Sequence, residues 1–191
     1  MIDPVGNSRY FSGMKFIFPL LAFLVGTVAA AEKPVVFEVS GIKFTAPVSW
    51  TSQKLASRMR AAQFRVPGAK GQVAASCVFF YFGPGAAGGV DANVNRWLGQ
   101  FTPKPKVKST VKPEKINGVA VTHVNAEGTY LDGPPFGAKV PKPGYAMRGV
   151  IVMAPRGAIF IKMTGPKAVV AAAEKPLLKM LEAALKYTIL S

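Results

Sequence analysis

His123 and Cys77 are the single histidine and single cysteine of this 191-residue chain, and any imidazole or thiol chemistry would have to be built on them. One residue of each type excludes a Cys/His zinc site and an internal disulfide. A Ser-His-Asp or Cys-His arrangement would need His123. That residue alternates with Val119 and Val121, which places it on a sheet face as a hydrogen-bonded core or rim residue. A catalytic base would also need an orienting partner and a nucleophile nearby, and the sequence names neither. Cys77 lies in the apolar run Val73–Phe80, where it reads as a small buried hydrophobe. Neither a neighbouring cation nor a helix start is present there to activate a thiolate. The 9 acidic residues are scattered, with no close pair for glycosidase-type or metal-binding work. The expectation is therefore no catalytic residue, no metal and no cofactor, and a chain that is not an enzyme.

Binding chemistry has more candidates. The loop Gly83-Pro84-Gly85-Ala86-Ala87-Gly88-Gly89 precedes a helical pattern, and amides at a helix start can hold an anion. It lacks the Gly-Lys-Ser/Thr ending of a nucleotide loop and the spacing of a dinucleotide fingerprint, so it reads as a connector. Arg96-Trp97 pairs a guanidinium with a ring, which can receive a carboxylate or fix a helix against a loop. The largest anomaly is charge: 24 Lys plus Arg against 9 Asp plus Glu, a balance of +15. Lys104, Lys106, Lys108, Lys112 and Lys115 fall in one Pro-rich stretch, with Lys139, Lys142, Arg148 and Arg156 further on. Such a field draws anionic surfaces and is screened by salt over about 8–10 Å. The lysine run does not interleave with aromatics as a single-strand nucleic-acid platform would.

These residues need elements to position them. Met14-Lys15, the apolar stretch Phe16–Val25 and the small residues Gly26–Ala31 have the three parts of a secretory signal peptide. The apolar part is shorter than the about 20 residues of a membrane span. Residues 1–31 are thus expected to be a leader, with Met14 the better start and cleavage after Ala30 or Ala31. The absence of a cysteine there excludes a lipoprotein anchor. Removing Asp3, Arg9 and Lys15 leaves 22 basic and 8 acidic residues, a balance of +14. Residues 32–191 are expected to form one domain without a transmembrane segment. Short strands are expected at Val35–Val39 and Ile42–Ala46 around Ser40-Gly41, at Arg58–Val66, and at Gln72–Phe82, the last covered on both faces. Val90, Val94, Trp97, Leu98 and Phe101 make one stripe of a three-turn helix, with Asn93, Asn95, Arg96 and Gln100 outside it. Asp91 suits its cap. Lys106-Val107-Lys108 suggests an edge strand, Asn117-Gly118 a tight turn, and Val119–Leu131 its return. Asp132–Gly144 reads as a long surface loop. Tyr145–Ala154 and Ala158–Thr164 flank a hairpin turn. A last helix carries Val169, Val170, Ala173, Leu177, Leu181, Ala184 and Leu185, and Pro176 is expected to kink or split it. The class is α+β: a mainly antiparallel sheet covered by two helices.

The order of four strands, helix, four strands, helix resembles the fold of photosystem II PsbP-type extrinsic proteins and the related Ran-binding Mog-type proteins. Three stretches are similar to an uncharacterised family of exported bacterial proteins associated with that fold: Asn93–Phe101, Glu127-Gly128-Thr129-Tyr130 and Phe160–Pro166. The resemblance spans most of 36–187, with the first stretch the distinctive one. It implies a PsbP-like α/β/α sandwich and an adaptor or accessory role without specifying a ligand, and it carries over no catalytic residue. The reading is an exported, periplasmic or extracellular, non-enzymatic binding protein. Its candidate ligand-binding residues are Arg96, Trp97, Lys104, Lys106, Lys108, Lys112 and Lys115. Its expected partner is an envelope protein or anionic surface, not nucleic acid. The alternative is a polyanion or membrane-surface binder working through its lysines. A hydrolase using His123 or Cys77 stands third.

Overall fold

The computed structural model describes residues 33–102, 107–134 and 136–186. The leader and the residues Lys104 and Lys106 lie outside these. Alternating apolar residues make β1 (Val36–Val39) and β2 (Ile42–Thr45), an antiparallel hairpin forming its own two-stranded sheet. Its turn is Ser40-Gly41, with φ of 52° and 80°, the left-handed pair that a two-residue hairpin turn needs. Then follow β3 (Thr51–Ser52), β4 (Arg60–Val66), β5 (Ala75–Tyr81), α1 (Val90–Leu98), β6 (Lys108–Ile116), β7 (Val119–Asp132), β8 (Val140–Ala154), β9 (Gly157–Pro166) and α2 (Lys167–Leu185). Seven strands form one antiparallel sheet in the order β3-β4-β5-β9-β8-β7-β6.

After β5 the chain leaves the growing sheet, runs through α1 to the far edge, and returns as the meander β6–β9 until β9 pairs with β5. Side-chain alternation then divides the core in two. One face gathers Cys77, Phe79, Val121, Val150 and Ile161 under α2 and the β1–β2 hairpin. Here Phe37, Phe44, Phe64 and Phe79 form an aromatic cluster with ring centroids 4.9–6.3 Å apart. Each such ring contributes roughly 1.5–3 kcal/mol by leaving water. The other face gathers Val124, Met147, Ile151 and Phe160 under Val94 and Trp97 of α1. Helices thus cover opposite faces of the sheet, the α/β/α sandwich expected from the sequence.

Several boundaries differ from expectation, each for a local reason. The helical stripe continues to Phe101, but α1 stops at Leu98. Gln100 and Phe101 instead run alongside β7, where Leu131 donates to the Gln100 carbonyl at 2.7 Å and Phe101 bridges to Tyr130. Asn93 is not outside the stripe but 2% exposed. The expected loop Asp132–Gly144 shrinks to residues 133–139, because β8 begins at Val140 despite Pro141 and Pro143. Both prolines lie before Tyr145, the first β8 residue paired with β9. That stretch of strand has one unpaired edge, where a missing N–H costs nothing. Pro176 sits inside α2 without splitting it. Its free carbonyl acceptor, that of Ala172, belongs to an exposed residue and can be satisfied by water. The expected strands at Arg58–Val66 and Gln72–Phe82 shorten to β4 and β5, and β3 is added between β2 and β4.

Candidate functional site

On the sheet face beneath α1, Trp97 packs over Gly149 and against Phe160. Trp97 is 4% exposed, edge-on to Phe160 at 6.2 Å. It lies so close over Gly149 that a Cβ there would fall 2.4 Å from the ring. Gly149 pairs across the sheet with Lys162 of β9, which pairs in turn with Val78 of β5. A lysine therefore stands mid-sheet beside the indole, with only 9% of its surface exposed.

Two neighbours make that placement possible. The Lys162 ammonium donates to Gln100 Oε1 and, at 3.1 Å, to the Tyr130 hydroxyl, and it lies 5.0 Å from the Tyr130 ring centre. Gln100 arrives because α1 ends early. Tyr130 arrives because β7 is bulged between Gly128 and Tyr130, and a bulge re-aims the side chain that follows. Burial pushes the Lys162 pKa down from 10.5 to about 8, helped by the charges of Arg96, Arg60 and Lys139 and opposed by Asp132. Burial also pushes the Tyr130 phenol up to about 12, so it stays a neutral hydroxyl.

Lys162 and Tyr130 face a cavity of about 330 Å³. Arg60, Val78, Phe80, Lys142 and Tyr145 contribute to its walls. Arg60 lies over the Phe80 ring at 5.8 Å and donates to Gln63 at 2.6 Å. Lys142 is paired with Asp132 at 2.6 Å, while Tyr130 and Tyr145 stack at 6.3 Å. A buried ammonium, a neutral hydroxyl and a rim guanidinium, between walls that mix Val78 and Phe80 with Ser76 and Thr164, are the equipment of a site that receives a small anion. Among the described residues no group of three or more His, Cys, Asp and Glu is placed to hold a metal ion.

The residues singled out from the sequence are distributed differently. Arg96 is exposed on α1 and donates to Asn93 Oδ1, while Asn93 Nδ2 donates to the carbonyls of Ala87 and Gly89 at 2.8 and 2.9 Å. Asn93, not Asp91, thus ties the glycine loop to the helix that follows it. Trp97 is a core ring, so as a ligand-binding residue it is corrected: it shapes the site by filling the space beside Lys162. Lys108, Lys112 and Lys115 are exposed on the edge strand β6. Register sets Lys108 opposite Glu127 and Lys112 opposite His123, on the α2 face, but Lys115 opposite Ala120 on the other. The lysine run is therefore divided between two faces of the sheet.

Other cations are committed to the fold. Arg148 lies between Glu127 at 3.7 Å and Glu174 at 3.0 Å, and Lys167 pairs with Glu127 at 2.7 Å, pinning the start of α2. The Arg156 side chain packs against Gly41. His123 is the rim residue expected of it, its Nε2 2.7 Å from Glu114 Oε1. Cys77 is fully buried, and burial pushes its thiol pKa up. Lys162 and Tyr130 went unselected in the sequence. The available signal was a lone cation interrupting the apolar strand Ala158-Ile159-Phe160-Ile161-Lys162-Met163.

No protein-family model matches the chain, and no curated protein matches it in sequence. Solved structures do. A crystal structure of a protein of unknown function from Pseudomonas aeruginosa aligns over 78% of this chain and 94% of that one, at 14% identity and a TM-score of 0.41. The solution structure of cyanobacterial PsbP (CyanoP) from Synechocystis aligns over 83% of this chain and 94% of its own, at 10% identity and a TM-score of 0.51. Identity that low speaks to architecture alone, and on architecture it agrees with the layers traced above: this chain has a PsbP-like fold.

Proposed function

We propose that the protein is an exported, non-enzymatic binding or accessory module of the cell envelope, and that its recognition site is the cavity beside Lys162. The observation that carries this reading is a cation buried mid-sheet with hydrogen-bond acceptors but no carboxylate partner among the described residues. Burying a lone charge costs several kcal/mol, and a fold with no use for it would carry an apolar residue there. Export rests on the leader pattern of residues 14–31. No helix among the described residues is long and apolar enough to cross a membrane.

The alternative, a polyanion or membrane-surface binder, rests on the surplus of basic residues. The site reading is preferred because Lys108 and Lys112 lie on one face of β6 and Lys115 on the other. Fractionation of cells producing the full chain tests export: the protein is expected in the envelope fraction beginning at Ala31 or Glu32, and a full-length cytoplasmic product would refute it. Capture of envelope components at low and at about 0.5 M salt separates the two modes. A partner retained at high salt supports the module, whereas many anionic components that all wash off support the polyanion reading.

A further inference from the structure

We propose that the cavity beside Lys162 takes a small carboxylate with an apolar body, its carboxylate received jointly by Lys162 Nζ and the Tyr130 hydroxyl. This rests on the binding-module reading and deepens it by naming the ligand class. An ammonium has three N–H donors. Gln100 and Tyr130 accept two of them, leaving the third for the cavity. The Tyr130 oxygen accepts from the lysine, so its own proton remains free to donate. Two donors converging on one space, one charged and one neutral, match the two oxygens of a carboxylate.

Charge points the same way. The charged residues of the lining are Arg60, Asp132, Lys142 and Lys162. Asp132 and Lys142 neutralise each other at 2.6 Å, which leaves Arg60 and Lys162 without a carboxylate among the described residues. One anion would halve that excess. Size and walls set the remainder of the ligand. About 330 Å³ is at the small end of ligand pockets, which run from about 300 to 1,000 Å³. Val78, Phe80 and Tyr145 offer apolar surface, with exposed Val73 at the mouth. Acetate would leave those walls wet, and inorganic phosphate would bring a hydration shell against them.

The test titrates benzoate, benzyl alcohol and inorganic phosphate separately into the purified protein, following backbone amide shifts by NMR. Benzoate is expected to saturate, with shifts centred on Gln100, Tyr130 and Lys162, and to bind at least tenfold more tightly than either comparison probe. Lys162→Met should weaken benzoate at least tenfold and Tyr130→Phe several-fold. Thermal unfolding of both variants confirms that they are folded. Raising the pH from 7 to 9.5 should weaken benzoate about tenfold or more in the parent and leave Lys162→Met unchanged. Equal binding of benzoate and benzyl alcohol, full retention of benzoate by Lys162→Met, or shifts spread over the surface lysines would each overturn the proposal. Phosphate binding without benzoate binding would overturn the ligand class while leaving the recognition site in place. No binding by any probe would overturn both the ligand class and this cavity as the site, and the fractionation result would still stand for export.

Discussion

Replacing Lys162 by Met should stabilise the protein near neutral pH, and the size of the gain follows from where the lysine sits. Burial takes its pKa from 10.5 to about 8. At ~1.4 kcal/mol for each tenfold change in proton affinity, holding the charged form in the fold costs ~3 kcal/mol. The sign is fixed by which state holds the proton more tightly. Below pH 8 folded and unfolded chains are both protonated and the cost is complete. Between pH 8 and 10.5 the folded lysine deprotonates first, so stability rises with pH until the cost is gone. From pH 7 to 9.5 the parent should gain ~2 kcal/mol relative to Lys162→Met from this group alone. At pH 7 the variant recovers most of the cost, less the ~1 kcal/mol typical of each hydrogen bond lost to Gln100 and Tyr130. A net gain of ~1–2 kcal/mol is expected. Guanidinium unfolding of both proteins at the two pH values measures it, and comparing the pair cancels every other titrating group, Cys77 included. A Lys162→Met protein less stable than the parent at pH 7, or parallel pH profiles for the two, would refute the reasoning.

Three further outcomes can be checked in the same preparations. Gly149→Ala should cost ~1–3 kcal/mol, the range for overpacking, because the new Cβ meets the Trp97 ring at 2.4 Å; near-ultraviolet circular dichroism of the tryptophans should change with it. Cys77, fully buried with its thiol pKa pushed up, should react with a thiol reagent at pH 8 only at the rate of unfolding, and at once in denaturant. Glu127→Gln should destabilise by less than ~1 kcal/mol, the usual worth of partly exposed pairs. Its carboxyl is held below the usual range chiefly by the hydrogen bond from Lys167. That contribution is present above pH 4.5 and lost as pH falls through the lowered value, so acid titration of Tm should show the two proteins converging.

The fold was legible because each layer writes its own period. The stripe Val90–Val94–Trp97 and the alternation in β2 and β4 depend only on which side of one element faces the core. The left-handed turns Ser40-Gly41 and Asn117-Gly118 were legible because few residues tolerate that backbone. What escaped is what depends on two elements at once. β8 could not be extended through Pro141 and Pro143 without knowing that β9 stops short of them. Asn93 looks like a surface residue until the glycine loop returns two carbonyls to its amide. The lysine run reads as one patch until the register divides it. Lys162 and Tyr130 are 32 residues apart, and nothing local to either announces the other.

The pairing of β5 with β9 joins residues 76–81 to residues 159–164, and this seam is the strand pairing that joins the two halves of the seven-stranded sheet. On one side lie β3, β4 and β5, on the other the β6–β9 meander with its local contacts. Closing a loop that long is slow compared with zipping neighbouring hairpins, so the seam should be the last joint to form, leaving two strand edges open until it does. Arg60, Val78 and Phe80 line the cavity from one side of that joint, and Tyr130, Lys142 and Lys162 from the other. The cavity therefore comes into being only when the halves lock. A molecule resting in it would act as a rivet, slowing the reopening of the protein's last-made joint.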